Sequence, residues 1–364
     1  MEGNKKLSNR QIKALVISTI VGVGILSLPN SLALANGNDG WIPIIIAGLL
    51  TAAIVAIIGR IFDLYPDKDF FQIGRELLGN WLFTLFLLIF SAYLIGLMSF
   101  LSRSLAELVR AFLLDTTPTE VIIITFILVT SYIAREEINI IGRLAYHIYP
   151  LIIVATLTLV IFSLPSVDFT NILPLFQSKM SDIPKGIRTS FFSFVGYEIL
   201  FFSLPYSEKK DGRIRAALWA IGLVVLIYLV VFFITLAQYG EPGLKRQVYP
   251  TLSLVKEIDL PGFFVENLDG VAMAGWVLMV FSTMAPSYYS AAKIFSHLFG
   301  AKDHRLFVIP LLPIVYIVSL LPQNTITLVE TLGKFLDYTG LIVIVLLPVL
   351  MYVIGLYRLR RKKR

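Results

Sequence analysis

The sequence contains no cysteine, three histidines and few charged residues. Without cysteine the chain forms no disulfide bond and carries out no thiol chemistry. Charged residues make up 15% of the 364 residues, whereas hydrophobic residues make up 57%. Soluble domains are about one-quarter charged. The composition therefore excludes an ordinary soluble domain and indicates an integral membrane protein.

Motifs of catalysis and metal binding are missing as well. The sequence has no nucleophile elbow, phosphate-binding loop, zinc motif or paired catalytic carboxylates. His297 and His304 do not have the spacing of metal ligands. We therefore expect no enzyme activity, no metal and no cofactor.

Ten apolar runs approach or exceed the roughly 20 residues that a helix needs to cross a bilayer. They lie near 13–35, 41–62, 81–112, 119–134, 143–164, 187–206, 214–238, 266–299, 306–322 and 337–357. None of them alternates in the manner of an outer-membrane barrel strand. The sequence predicts one all-α transmembrane domain of ten helices over residues 1–364.

The basic residues give the orientation, because cytoplasmic loops retain Lys and Arg. If the N-terminus is cytoplasmic, most of the 31 basic residues fall in cytoplasmic segments. Both termini are then predicted to be cytoplasmic, and this bias explains the net charge of +7 without a nucleic-acid partner. We interpret the tail "RLRRKKR" (358–364) as an anchor on anionic lipid. Docking to a protein is the alternative.

Two of the runs contain residues that interrupt a helix. "VGVGILSLPN" (21–30) places Gly22, Gly24 and Pro29 inside the first run. "FSFVGYEILFFSLPY" (192–206) joins Gly196 to a second Ser-Leu-Pro in the sixth run. Unwound backbone at membrane depth is tolerated where it lines a cavity, and its free N–H and C=O groups can bind ligand. Kinks or close-packing glycines are the simpler interpretation.

The matched interruptions start two sets of five helices, one over about 13–164 and one over about 187–357. Five is an odd number, so the second set enters the membrane from the opposite side. This pattern is the inverted repeat of many secondary transporters.

These residues also carry a family resemblance. "GVGIL" and "FSFVGYE" resemble motifs of the amino acid–polyamine–organocation superfamily, whose members have a LeuT-like fold with broken helices 1 and 6. Longer stretches resemble the B subunits of spore germination receptors, the GerAB-like family. They are "LSNRQIKALVISTIVGVGILSLP" (7–29), "FSFVGYEILFFSLPY" (192–206), "YPTLSLVKEIDLPGFFVENLDG" (249–270) and "LLPQNTITLVETLGKFLDYTG" (320–340).

The resemblance implies a receptor subunit in the spore inner membrane. It would work beside a larger A subunit and a lipoprotein C subunit, and would sense a small nutrient such as an amino acid. The nutrient would bind in a mid-membrane cavity between helices one and six.

Glu198 is a carboxylate in an apolar run, and such a group costs several kcal/mol unless it is paired, hydrated or protonated. It could bind a ligand ammonium group, take up a proton, or hold the broken helix by accepting backbone N–H bonds. We favour the last role, because the superfamily motif includes this acid even where substrates differ.

Helices three and eight should complete the cavity. Tyr93 and Leu97 are one turn apart on helix three and share a face. On helix eight, Ser282 and Thr283 resemble the sodium-ligating hydroxyl pair of some transporters, although such hydroxyls more often bind their own helix carbonyls. The candidate ligand-binding residues are Gly22, Gly24, Ile25, Tyr93, Leu97, Phe194, Gly196, Glu198, Thr283 and Tyr288, with Ser282 and Thr283 as a candidate ion site.

Two functions fit these features. The first is a ligand-sensing receptor subunit, and the second is a stand-alone transporter of amino acids coupled to protons or sodium. The family resemblance favours the first, because the fold alone does not decide function.

Overall fold

A computed structural model describes residues 6–22, 24–257 and 268–362 of the chain. The helices are α1 (Asn9–Ile20), α2 (Gly24–Asn36), α3 (Trp41–Leu64), α4 (Phe70–Leu78), α5 (Asn80–Phe112), α6 (Thr119–Ala134), α7 (Ile138–Ser163), α8 (Ile183–Ser193), α9 (Leu200–Ser203), α10 (Arg213–Leu244), α11 (Pro250–Lys256), α12 (Leu268–Leu298), α13 (Arg305–Leu320), α14 (Thr325–Leu328), α15 (Lys334–Gly340) and α16 (Leu347–Lys362). Two π-helical segments, Val329–Gly333 and Leu341–Leu346, join the last three helices into one span.

These helices occupy the ten predicted runs. Among the described residues, five helical segments are long and apolar enough to cross a membrane, and α8 with Tyr197–Tyr206 qualifies as a pair bent by 49°. α6 and α13 are shorter apolar helices. We call α1 with α2 the first span, α8 with Tyr197–Tyr206 the sixth span, and Thr325–Lys362 the tenth span.

The tenth span begins well before the predicted boundary at residue 337. Asn324 caps its first turn, because its side chain accepts a hydrogen bond from the Thr327 N–H at 2.9 Å. The early part carries Glu330, Lys334 and Asp337, so it does not read as an apolar run. Hydrophobicity alone therefore missed its first turns.

Both predicted interruptions are breaks in the structure. α1 ends at Ile20 and α2 begins at Gly24. α8 ends at Ser193, and the chain resumes a helical course at Tyr197 after Gly196. Gly196 has φ +124°, a conformation that residues with a Cβ rarely adopt.

One face of the bundle, which we call the N-terminal face, carries the start of α1 and the end of the sixth span. The Leu7 N–H donates to the Tyr206 carbonyl at 2.7 Å, and the Glu208 N–H donates to the Leu7 carbonyl at 2.8 Å. Arg213, which is buried, bonds Asp63 at 2.9 Å and the Leu204 carbonyl at 3.3 Å. These contacts close the N-terminal face around the sixth span. We call the opposite side of the bundle the distal face.

Candidate functional site

A central cavity of about 460 Å³ lies beside both breaks, between α2, α5, α8, α12 and the tenth span. Its deep end contacts the breaks through Gly22, Gly24 and Ser193. Exposed charged residues of α8 and the tenth span line its other end, so the cavity opens towards the distal face. Its lining residues are Ile20, Gly22, Gly24, Ser27, Leu28, Ser31, Leu97, Phe100, Leu101, Lys185, Arg188, Thr189, Phe192, Ser193, Val195, Thr283, Val329, Glu330, Gly333, Lys334 and Asp337.

The two glycines of the first break also permit close packing. A Cβ on Gly22 would lie 2.5 Å from Thr283 Oγ1, and a Cβ on Gly24 would lie 3.2 Å from the Ser193 Cβ. Both glycines therefore serve helix contact as well as lining the cavity. These contacts support the close-packing interpretation, and ligand binding by the unwound backbone stays a prediction.

Glu198 braces the second break. The residue is 3% exposed. One carboxylate oxygen accepts the Gly196 N–H at 2.7 Å, and the other accepts the Tyr93 hydroxyl at 3.0 Å. Glu198 does not line the central cavity. The geometry favours the bracing role over direct contact with a ligand.

Tyr228 of α10 connects the two breaks. Its hydroxyl lies 2.7 Å from the Ser193 carbonyl at the end of α8 and 3.3 Å from the Ile20 carbonyl at the end of α1. Gly196 packs against the same end of α1, because a Cβ there would lie 2.6 Å from the Thr19 carbonyl oxygen. The breaks thus form one hydrogen-bonded unit.

The Ser282 and Thr283 hydroxyls meet at a single carbonyl of α1. Ser282 Oγ lies 3.0 Å and Thr283 Oγ1 3.3 Å from the Ser18 oxygen. Both hydroxyls also bond the Met279 carbonyl of their own helix. This arrangement satisfies the hydroxyls without an ion. Elsewhere too, no group of three or more His, Cys, Asp or Glu side chains that could hold a metal occurs in the described ranges.

The structure brings some of the predicted residues to the cavity and sends others elsewhere. Gly22, Gly24, Leu97 and Thr283 line it, whereas Tyr93, Gly196 and Glu198 form the brace behind it. Phe194 packs on the Tyr228 ring at 5.2 Å, Ser282 bonds the Ser18 carbonyl, and Ile25 lines a separate apolar cavity of about 310 Å³. Tyr288 donates to the Val308 carbonyl at 2.6 Å, so its hydroxyl is directed to α13.

Sequence reasoning missed the charged mouth of the central cavity. Lys185 and Arg188 lie one turn apart on α8, and Glu330, Lys334 and Asp337 follow one face of the tenth span. Arg188 forms an ion pair with Asp337 at 2.7 Å. The helical spacing of these charges was a visible signal, but Lys185 precedes the predicted sixth run (187–206), and Glu330 and Lys334 precede the predicted tenth run (337–357).

The stretch 249–270 lies partly outside the described residues, since 258–267 are not described. Its first part forms α11. The Thr251 hydroxyl donates to the Ile25 carbonyl at 3.0 Å, so α11 rests on the start of α2.

The sequence profile of a family described as "Spore germination protein" matches residues 6–327. The chain belongs to the spore germination protein family. It is 27% identical to spore germination protein YndE of Bacillus subtilis (strain 168), with 98% of each chain covered. It is 28% identical to spore germination protein A2 of the same organism (97% of this chain, 96% of that protein) and 27% identical to GerLB of Bacillus cereus (99% and 96%). The family and the apolar helices together make it an integral membrane protein related to germination.

Two solved structures share the fold. A substrate-bound, outward-open Na⁺-coupled sialic acid symporter superposes with a TM-score of 0.71 at 13% identity, covering 97% of this chain and 79% of that one. MhsT in complex with L-phenylalanine superposes with a TM-score of 0.69 at 15% identity, covering 95% and 87%. The predicted ten-helix, 5+5 LeuT-like fold with broken helices 1 and 6 is confirmed.

Proposed function

We propose that this chain is the nutrient-binding subunit of a spore germination receptor. It binds a small molecule such as an amino acid in the central cavity and carries out no catalysis. The observation that supports this function is a cavity that touches both helix breaks in a chain of the spore germination protein family.

In this proposal the start of α2 receives the ligand carboxylate, because a helix N-terminus carries partial positive charge. The apolar walls formed by Leu97, Phe100 and Phe192 hold the rest of the ligand. Glu198 keeps the second break in shape and does not contact the ligand.

The receptor acts in the spore inner membrane with both termini in the cytoplasm, so the N-terminal face is cytoplasmic. Ligand binding shifts an equilibrium between two states of the broken spans. An A subunit and a lipoprotein C subunit read that shift. Transport is not needed, because a receptor requires only different ligand affinities in its two states.

Binding to the purified full chain in detergent tests the site. Amino acids are titrated while the unfolding temperature is measured, and a saturable rise is expected for the ligand. Ser27→Phe places a ring in the central cavity and should abolish the rise. Ser131→Phe on α6, which does not line the cavity, is the matched control. A saturable rise that survives Ser27→Phe unchanged would refute the placement.

A coupled transporter is the second candidate. The observation that favours it is the fold that the chain shares with a Na⁺-coupled sialic acid symporter. Reconstitution of the chain alone into liposomes separates the two functions. Saturable uptake of a labelled amino acid, driven by a proton or sodium gradient, would establish the transporter; binding without uptake supports the receptor subunit.

A further inference from the structure

The apolar cavity of about 310 Å³ shares no lining residue with the central cavity. α2, α7, α10, α11 and α12 form its walls. Ile25 of α2 lines it, whereas the preceding residue, Gly24, lines the central cavity. Gly142 of α7 packs on Leu7 of the N-terminal face, so the part of α7 that lines the apolar cavity, from Leu151 onwards, is the distal half of that helix. The start of α2 therefore separates two cavities that differ in chemistry.

The walls of the apolar cavity offer little to a polar ligand. Among the described residues that line it, none is charged. The Thr156 hydroxyl donates to the Ile152 carbonyl at 2.9 Å, and the Thr251 hydroxyl donates to the Ile25 carbonyl at 3.0 Å. The indole nitrogen of Trp276 has almost no accessible surface, so it presents no donor to the cavity. A polar group placed there would lose its hydrogen bonds to water without replacement, which favours an apolar occupant.

The opening of this cavity is continuous with the lipid-facing surface of α7. Leu151 and Val154 line the cavity and are also exposed, Val154 by 59%. Leu157 and Ile161 continue the exposed side of α7 at helical spacing. α7 is long and apolar enough to cross the membrane, so its exposed apolar side lies against lipid chains. Lipid therefore reaches the cavity directly, without crossing a polar surface.

The dimensions of the cavity fit an extended chain. Its α7 wall runs from Leu151 to Phe162, which is about 16 Å along a helix axis. Half of the hydrocarbon core is about 15 Å thick, so the wall extends along one leaflet. Apolar cavities of about 150 Å³ already exclude water and bind benzene. A cavity of about 310 Å³ that opens to lipid has room for a longer hydrocarbon.

We propose that the apolar cavity binds one acyl chain of a phospholipid from the distal leaflet. The chain replaces empty space with dispersion contacts to the walls, among them Leu26 and Trp276. It packs on the side of α2 opposite the central cavity and so supports the helix start that borders the first break. The site does not require a nutrient.

The fluorescence of Trp276 tests this site, because the residue lines the cavity and is only 3% exposed. Trp41→Phe, Trp81→Phe and Trp219→Phe leave Trp276 as the sole tryptophan of the full chain. This protein is reconstituted into phosphatidylcholine vesicles with or without bromine atoms on the acyl chains. Bromine quenches indole fluorescence on near contact, so quenching of Trp276 in the brominated vesicles is expected.

Gly275→Leu should remove more than half of the quenching, each variant being compared with itself in unbrominated vesicles. A Cβ on Gly275 would lie 3.7 Å from the Leu151 Cδ2, an ordinary contact, so the larger side chain extends along the cavity wall. Leucine also favours the helix more than glycine does, which keeps the fold. Gly275→Ala is the matched control: its methyl group leaves most of the cavity open, and the quenching should persist.

Ala155→Phe fills the cavity from the opposite wall and should have the same effect as Gly275→Leu. Its control is Leu157→Phe, at an exposed position of the same helix that does not line the cavity. A parallel protein that keeps only Trp219, which is exposed on α10, should be quenched in every variant by surrounding lipid.

Loss of Trp276 quenching in the two filling variants, but not in the two controls, would support the acyl-chain site. Equal quenching in all four variants would overturn it. Absence of Trp276 quenching in the unfilled protein, with Trp219 quenched, would also overturn it and would leave this face of α7 to a protein partner. No nutrient is present in these vesicles, so neither result bears on nutrient binding in the central cavity.

Discussion

The two sides of the helix breaks are held by different kinds of interaction. On the N-terminal side, main-chain hydrogen bonds join Leu7 to Tyr206 and Glu208, and a buried arginine closes the end of the sixth span. On the distal side, the mouth of the central cavity has exposed charges and the ion pair of Arg188 with Asp337. Buried hydrogen bonds are costly to break, whereas exposed ion pairs contribute little.

The difference indicates which side of the breaks can change conformation at low energetic cost. The structure is open on the distal side and closed on the N-terminal side. Small changes at the mouth require little energy, while opening of the N-terminal face requires the loss of several buried contacts. If the protein is a sensor, the free energy of ligand binding would therefore first drive a conformational change on the distal side.

The largest effect is expected where the two sides meet, at Gly196. Gly196→Ala should reduce the free energy of unfolding by about 2–5 kcal/mol, from backbone strain and overpacking together. The strain arises at φ +124°, and the added Cβ would lie 2.6 Å from the Thr19 carbonyl oxygen. Thermal unfolding in detergent measures the loss. Gly222→Ala is the control, because no heavy atom lies within 4 Å of the added Cβ; equal stability of the two variants would contradict the strain.

The second prediction concerns a variant, Arg213→Ala, that weakens the contacts of the N-terminal face and leaves the distal face unchanged. Arg213→Ala should cost about 1–3 kcal/mol, because it leaves the Leu204 carbonyl without its arginine partner. The cysteine-free sequence allows single-cysteine labelling. A cysteine introduced by Ser203→Cys, at a fully buried position, should react slowly in the parent and faster with Arg213→Ala.

Ser27→Cys, in the central cavity, should react at the same rate with and without Arg213→Ala. If Arg213→Ala increases the labelling rate equally at both cysteines, the N-terminal face does not close independently of the central cavity.

The third prediction concerns the brace behind the cavity. Glu198→Gln can still accept the Gly196 N–H and can donate to the Tyr93 oxygen, so it should lose about 1 kcal/mol of stability and less than about tenfold in ligand affinity. Ligand titration and thermal unfolding check this, with Tyr93→Phe as the matched loss of one bond. An affinity loss above tenfold at unchanged stability would show that the carboxylate contacts the ligand.

The smallest effect is expected at the mouth. Arg188→Gln removes the ion pair with Asp337 and should change the free energy of unfolding by at most about 1 kcal/mol. The change should shrink further at high salt, which screens exposed charges. Thermal unfolding at low and high ionic strength measures this change. A large loss of stability that does not depend on salt would mean that the distal side is closed as firmly as the N-terminal side.

Much of the fold followed from local patterns. Apolar runs predicted the ten helices, because a helix needs about 20 mostly apolar residues to cross the hydrocarbon core of the membrane. The glycines and Ser-Leu-Pro motifs predicted both breaks, since glycine and proline are the residues that most readily interrupt a helix at membrane depth. The early turns of the tenth span escaped prediction because Glu330 and Lys334 line the cavity mouth and interrupt the apolar run.

The candidate site was predicted less completely. Gly22, Gly24, Leu97 and Thr283 do line the central cavity, and the preference for a bracing Glu198 agrees with its two hydrogen bonds. The hydroxyl of Tyr288 is directed to α13, although its helix also lines the cavity. The neighbour that a side chain contacts depends on how the two helices are rotated relative to each other.

Local sequence patterns were enough to predict the membrane class, the number of helices and the position of the breaks, because hydrophobicity and glycine placement act locally along the chain. The contacts of each break, in contrast, depend on how the helices pack in three dimensions. Tyr228 is distant in sequence from Ile20, yet its hydroxyl links the ends of α1 and α8. Such contacts arise from the packing of whole helices, and no local pattern specifies them.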